Sequence, residues 1–202
     1  RMMDIEGLGE RYVERLVEFD YVTGVADLYR LTLDDLLDMK RRADERDGIT
    51  PETVKAGQVA TRWAENLLAG IAASKSPSLA RLLFALGIRH VGESTAKTLA
   101  DWLGSLERVR RAPAAMLAVL PDIGQTVAAA IAAFFAEEHN ARAIDALLAE
   151  GVRPCDEHPP SARLAGCLTW EHLYAALGIP RLTPLRARQL AALVPGDRLA
   201  QE

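Results

Sequence analysis

Apolar residues recur three and four positions apart along most of this chain, the spacing that gives a helix one buried face. Tyr12, Val13, Leu16 and Val17 set such a face on a helix predicted from Glu10 to about Phe19. Thr23-Gly24 breaks it, and Val25 to Leu31 predicts a short helix. Thr32 is an N-cap for Leu33 to Met39, with Asp34 and Asp35 at the favourable end of the helix dipole. Further helices are predicted over residues 78–87, 93–103, 106–110, 114–120, 125–136 and 140–150. The fold class is all-α.

Between these helices one short pattern returns: an apolar residue, Gly, three variable residues, then Ala. It reads Val91-Gly92-EST-Ala96 and, 32 positions later, Ile123-Gly124-QTV-Ala128. Looser copies are Leu8-Gly9-ERY-Val13, Val59-Ala60-TRW-Ala64 and Leu182-Thr183-PLR-Ala187. Such internal repetition governs the architecture. In the clearest copy Ile88 to Val91 makes a hairpin, Gly92 is expected at positive φ with its N–H uncovered, and Glu93 starts a helix. Ala96 is small enough for the preceding helix to pack closely.

Composition changes this picture in two places. With 202 residues the chain makes one large or two small domains; it lacks an apolar run long enough for a membrane span (~18 residues) and opens on no secretory signal. Its first residue is Arg1, so a piece of a longer protein is expected. The net charge of −4 runs against the usual basic balance of a nucleic-acid binder, so any DNA contact must come from local geometry. The two cysteines predict a reducing compartment without a disulfide framework. Cys155, His158, Cys167 and His172 form C-x2-H-x8-C-x4-H, a conceivable zinc set. That spacing matches no common finger and Pro159-Pro160 stiffens it, so incidental thiols, and no metal, are the reading preferred.

The ordered strings DIEGLGERYVERLV, DLYRLTLDDLL, WAENLLAGIAASK and LARLLFALGIRHVGESTAKTLA resemble the helix-hairpin-helix domain of bacterial NAD-dependent DNA ligases, over residues 1 to about 152. The resemblance implies a domain that clasps nicked double-stranded DNA from the minor-groove side in a cytoplasmic, nucleoid-associated enzyme of replication and repair. It also implies NAD and Mg as cofactors of the parent and an AMP-lysine intermediate in a separate domain. Adenylation, OB, zinc and BRCT domains would be its neighbours. Two departures stand out. The stretch between Met39 and Trp63 is charged, and residues 40–58 of it form an insertion expected as an exposed loop; Lys40, Arg41, Arg42, Lys55 and Arg62 of the stretch are candidate DNA contacts, though Asp44, Glu45, Asp47 and Glu52 favour a merely solvated segment over residues 40–54. Beyond residues 153–168, read as a flexible linker, residues 169–202 depart from the family. They predict a degenerate, truncated fifth helix-hairpin-helix or a plain helical extension; Thr183 would cap a helix starting at Pro184.

A hairpin feeding a helix gathers unpaired N–H groups and a positive dipole end at one point, which suits a phosphate and reads no base sequence. The candidate DNA contacts are Gly7, Gly9 and Glu10 in the first hairpin and Arg62 near the second. The third offers Arg89, His90, Gly92, Glu93, Ser94, Thr95 and Lys97, and the fourth Asp122, Gly124, Gln125 and Thr126. For each glycine the bland alternative is a plain turn or cap. No K-x-D-G string follows Lys40, Lys55, Lys75 or Lys97, so no catalytic residue and no cofactor is assigned to this stretch itself. A protein-interaction module, or an accessory domain of another DNA-repair protein, is the rival function.

Overall fold

The computed structural model describes residues 5–48, 61–177 and 179–193. The described residues contain twelve α-helices, one 3-10 helix and no strand. They fall into two compact units: the described residues of 5–77 with 142–153, and those of 78–141 with 154–193.

The first unit holds α1 (Glu10–Glu18), a 3-10 helix (Val25–Arg30), α2 (Leu33–Arg46) and α3 (Arg62–Ala73). Most of α9 (Glu138–Ala149) also belongs to it. Leu16, Val22, Leu36, Met39, Ala64, Leu67 and Ile71 form its core. The buried face of α1 is narrower than its sequence predicts. Leu16 is fully buried and Tyr12 half-buried, whereas Val13 and Val17 lie on the exposed side. Thr32 caps α2 as expected, accepting from the Asp35 amide at 3.2 Å while Asp35 accepts from the Thr32 amide at 2.8 Å.

The insertion begins as helix, not loop. α2 runs two turns beyond Met39, because Met39 and Ala43 are buried one turn apart and charges pair along the outer side. Lys40 meets Asp44 at 2.8 Å, Arg41 meets Glu45 at 2.9 Å and Arg42 meets Asp38 at 2.9 Å. Lys55 and the rest of the insertion lie outside the described residues.

The second unit holds α4 (Leu79–Ala85), α5 (Glu93–Leu103), α6 (Leu106–Arg111), α7 (Ala114–Leu117), α8 (Gln125–Ala136), α10 (Arg163–Cys167), α11 (Trp170–Ala176) and α12 (Pro184–Leu193). Leu79, Leu83, Leu99, Leu103, Leu117 and Ile131 are among its fully buried side chains. Ala96 and Ala128 are fully buried, which lets the paired helices approach. The segment expected to be a flexible linker is instead tied down. His158 N–H donates to the Gly104 carbonyl at 2.8 Å and Ser161 N–H to the Trp102 carbonyl at 3.0 Å. Leu164 is buried, and the Arg163 guanidinium lies 4.8 Å from the centre of the Trp102 ring. The C-terminal segment is helical, as α11 and α12 joined by a turn.

Candidate nucleic-acid interface

Four turns share one backbone geometry. In each, the fourth residue donates its N–H to the first carbonyl: Leu8 to Ile5 at 3.2 Å, Val91 to Ile88 at 3.0 Å, Ile123 to Leu120 at 3.3 Å and Leu182 to Ile179 at 3.0 Å. The third residue is left-handed in all of them: Gly7 at φ 82°, His90 at 65°, Asp122 at 60° and Arg181 at 67°. A positive φ at the third position is the signature of a type II turn, and Pro121 and Pro180 hold the second position that such turns favour. The expectation of a positive φ at Gly92 is therefore corrected. Gly92 is extended at φ −91°, ψ −176°, and the left-handed residue is His90, two positions earlier.

Gly9, Gly92 and Gly124 are the N-caps of α1, α5 and α8, all extended. Neither backbone nor packing requires glycine there, since an added Cβ would meet nothing within 4 Å at any of the three. No side chain caps these helices. By contrast Thr32, Ser78, Ser105 and Thr169 cap α2, α4, α6 and α11, each accepting the third amide of its helix. The turn-fed helices thus begin with first-turn amides that lack a side-chain partner and stand beside bare glycine.

In the second unit Arg89, His90, Gly92, Glu93, Ser94 and Lys97 are exposed around the start of α5, with Thr95 half-buried. Asp122, Gly124, Gln125 and Thr126 are exposed around the start of α8. In the first unit Gly7, Gly9 and Glu10 are exposed at the start of α1. Arg62 is exposed at the head of α3; Val59 and Ala60 of the second repeat lie outside the described residues. The next residue, Trp63, stacks on Tyr12 with centroids 5.5 Å apart. Gly70 brings α3 so close to the first turn that a Cβ there would sit 2.9 Å from the Glu6 carbonyl oxygen.

The cations divide into two sets. Arg62, Arg89 and Lys97 have no ion-pair partner among the described residues, whereas Lys40, Arg41 and Arg42 are tied to acids. The fifth turn shares the backbone but not the open amides. Pro184 has no N–H, and the Thr183 hydroxyl accepts the Arg186 amide at 3.4 Å. Sequence reasoning also missed His172 as a neighbour of the fourth turn; it lines a groove with Gly124, Gln125 and Cys167. Its Nδ1 lies 3.1 Å from the Cys167 carbonyl oxygen, and His158 Nδ1 lies 2.6 Å from that of Pro159. Among the described residues no three His, Cys, Asp or Glu side chains are placed to hold a metal ion. No described helix is long and apolar enough to cross a membrane.

Residues 81–144, which carry the third and fourth turns, match the helix-hairpin-helix motif family. The chain is 40% identical to a DNA ligase of Xanthomonas campestris pv. campestris over 95% of its own length and 29% of the relative's. A DNA ligase of Stenotrophomonas maltophilia is 41% identical over 96% of the chain and 29% of the relative. One of Neisseria meningitidis is 55% identical over 76% of the chain and 20% of the relative. The chain thus spans less than a third of the length of these curated relatives. By sequence, this chain is a helix-hairpin-helix region related to one part of the bacterial DNA ligases.

Proposed function

We propose that this chain binds duplex DNA without sequence preference, taking backbone phosphates on the open amides at the starts of α1, α5 and α8. The observation that carries the reading is an uncapped glycine N-cap two residues after a left-handed turn residue, at these three helices; α2, α4, α6 and α11 carry Ser or Thr caps, and α3, α7 and α10, also uncapped, start from Thr61, Pro113 and Ala162. A free first turn beside bare glycine admits a phosphate oxygen to hydrogen-bond distance, and the helix dipole favours its charge. Arg89 and Lys97 supply side-chain cations near the third turn, and Glu93 contributes its N–H rather than its carboxylate. The net charge of −4 is compatible with this because main-chain dipoles carry much of the attraction.

Contacts of this kind position a protein on the duplex and leave the bases unread. Paired turns following the two strands would meet the duplex from its minor-groove side. In the whole protein the domain would clasp nicked DNA for an NAD-dependent ligase using Mg, with NAD chemistry in a separate adenylation domain. The relatives' name, DNA ligase, supports the ligase part of that reading.

The test is salt dependence of binding to a short nicked duplex. Phosphate binding weakens steeply from about 50 to 200 mM salt, by roughly tenfold or more for several contacts. Affinity that is flat over that range would favour an apolar protein-interaction surface instead.

A further inference from the structure

We infer that residues 154–161 act as a clasp that fixes the spacing of α4 and α5 at the end opposite the third turn, and so holds that turn in its DNA-binding form. The inference rests on the function proposed above for the turn itself. One strap of chain reaches three helix ends. Asp156 Oδ1 accepts the Leu79 amide, at the first residue of α4, at 2.6 Å. Glu157 Oε1 accepts the Leu106 amide, at the first residue of α6, at 2.7 Å. His158 and Ser161 donate their amides to the carbonyls of Gly104 and Trp102, at the end of α5. The Arg108 guanidinium bridges back, donating to the carbonyls of Leu103 and His158.

The fit admits no side chain at Gly104. It sits at φ 71°, and a Cβ there would lie 2.4 Å from the His158 carbonyl oxygen and 2.7 Å from its Nδ1. The start of α4 and the end of α5 are the open end of the hairpin whose closed end is Ile88 to Gly92. A carboxylate on a free helix-start amide is a strong hydrogen bond with a favourable dipole. Asp156 and Glu157 are therefore positioning residues that touch no DNA.

The test compares the 202-residue chain with D156A/E157A, and with D156N/E157Q, whose amide oxygens can still accept. Amide hydrogen exchange, far-UV circular dichroism and duplex affinity are read on each. The clasp predicts unchanged helicity in D156A/E157A and faster exchange at Leu79 and Leu106 that spreads to residues 88–96. It also predicts duplex affinity lower by about threefold to tenfold, with rescue in D156N/E157Q. Faster exchange confined to Leu79 and Leu106, with affinity unchanged, overturns it. If the parent chain binds no duplex, the functional reading fails separately. The exchange pattern then decides the clasp alone: spread to residues 88–96 sustains it and confinement rejects it. G104A gives a second route, since its Cβ must expel the strap and reproduce the double variant's exchange pattern.

Discussion

His90 and Asp122 hold the same left-handed backbone, at φ 65° and 60°, each two residues ahead of an extended glycine N-cap. Two non-glycine residues in that region at matching places mark a turn that the fold imposes twice. Left-handed backbone costs most residues with a Cβ about 1–2 kcal/mol, while glycine adopts it freely. His90 already bears most of that cost, so H90V should destabilise the chain only by the extra crowding of its branched Cβ, about 1 kcal/mol or less, and H90G should be neutral or slightly stabilising. Urea unfolding of the two variants checks the sign; equal stability would remove the strain from the turn.

Acid should weaken the first unit in particular. The Thr23 hydroxyl and the Thr23 and Gly24 amides hold Asp27 below the usual carboxylate range. The Tyr21 hydroxyl, then Arg41, does the same for Asp38, and Arg46 for Asp47. A carboxyl depressed in the folded state gives stability that is full above its unfolded value, near pH 4, and is lost as pH falls through the folded value. Unfolding followed from pH 5 down to pH 2 should show that loss. In a D27N/D38N/D47N variant the dependence should flatten; an unchanged acid profile would contradict the assignment.

The repeat was legible in the sequence because its signals are local. The pattern around Gly92 and Gly124 located both turns, and the fully buried Ala96 and Ala128 confirm the small residue one turn on. The same signal misplaced the strained residue. A glycine invites a positive φ, but Gly92 and Gly124 are extended and the left-handed burden falls on His90 and Asp122. By charge alone residues 40–46 look like loop, yet they continue α2. Pairs such as Lys40 with Asp44 stabilise helix, and Met39 with Ala43 keeps one side of it buried. The strap at 154–161 was unreadable for another reason. Asp156 and Glu157 look like linker acids until the distant amides of Leu79 and Leu106 are placed against them. The site residues are legible as positions on turns, while their capping depends on backbone angles and side-chain bonds that a sequence does not spell out.

Nick joining should lie outside this stretch of chain. Lys40, Lys55, Lys75 and Lys97 all lack the K-x-D-G context that an adenylated ligase lysine resembles. Incubation of the 202-residue chain with NAD labelled in its adenylate should leave the protein unlabelled by mass spectrometry. A covalent AMP on any of these four lysines would overturn the division of labour proposed here.

The most direct measurement is the duplex affinity of G92V/G124V at low salt. Both positions are extended and open, so valine costs only cap preference, about 1 kcal/mol each, and the fold should survive with its helicity intact. The bulk stands where a phosphate would approach the first-turn amides of α5 and α8. The prediction is a loss of affinity of roughly tenfold or more, from two charge-assisted contacts of about 1 kcal/mol or more each. Unchanged affinity in a folded G92V/G124V variant would contradict it, and the third and fourth turns would not be where this chain meets DNA.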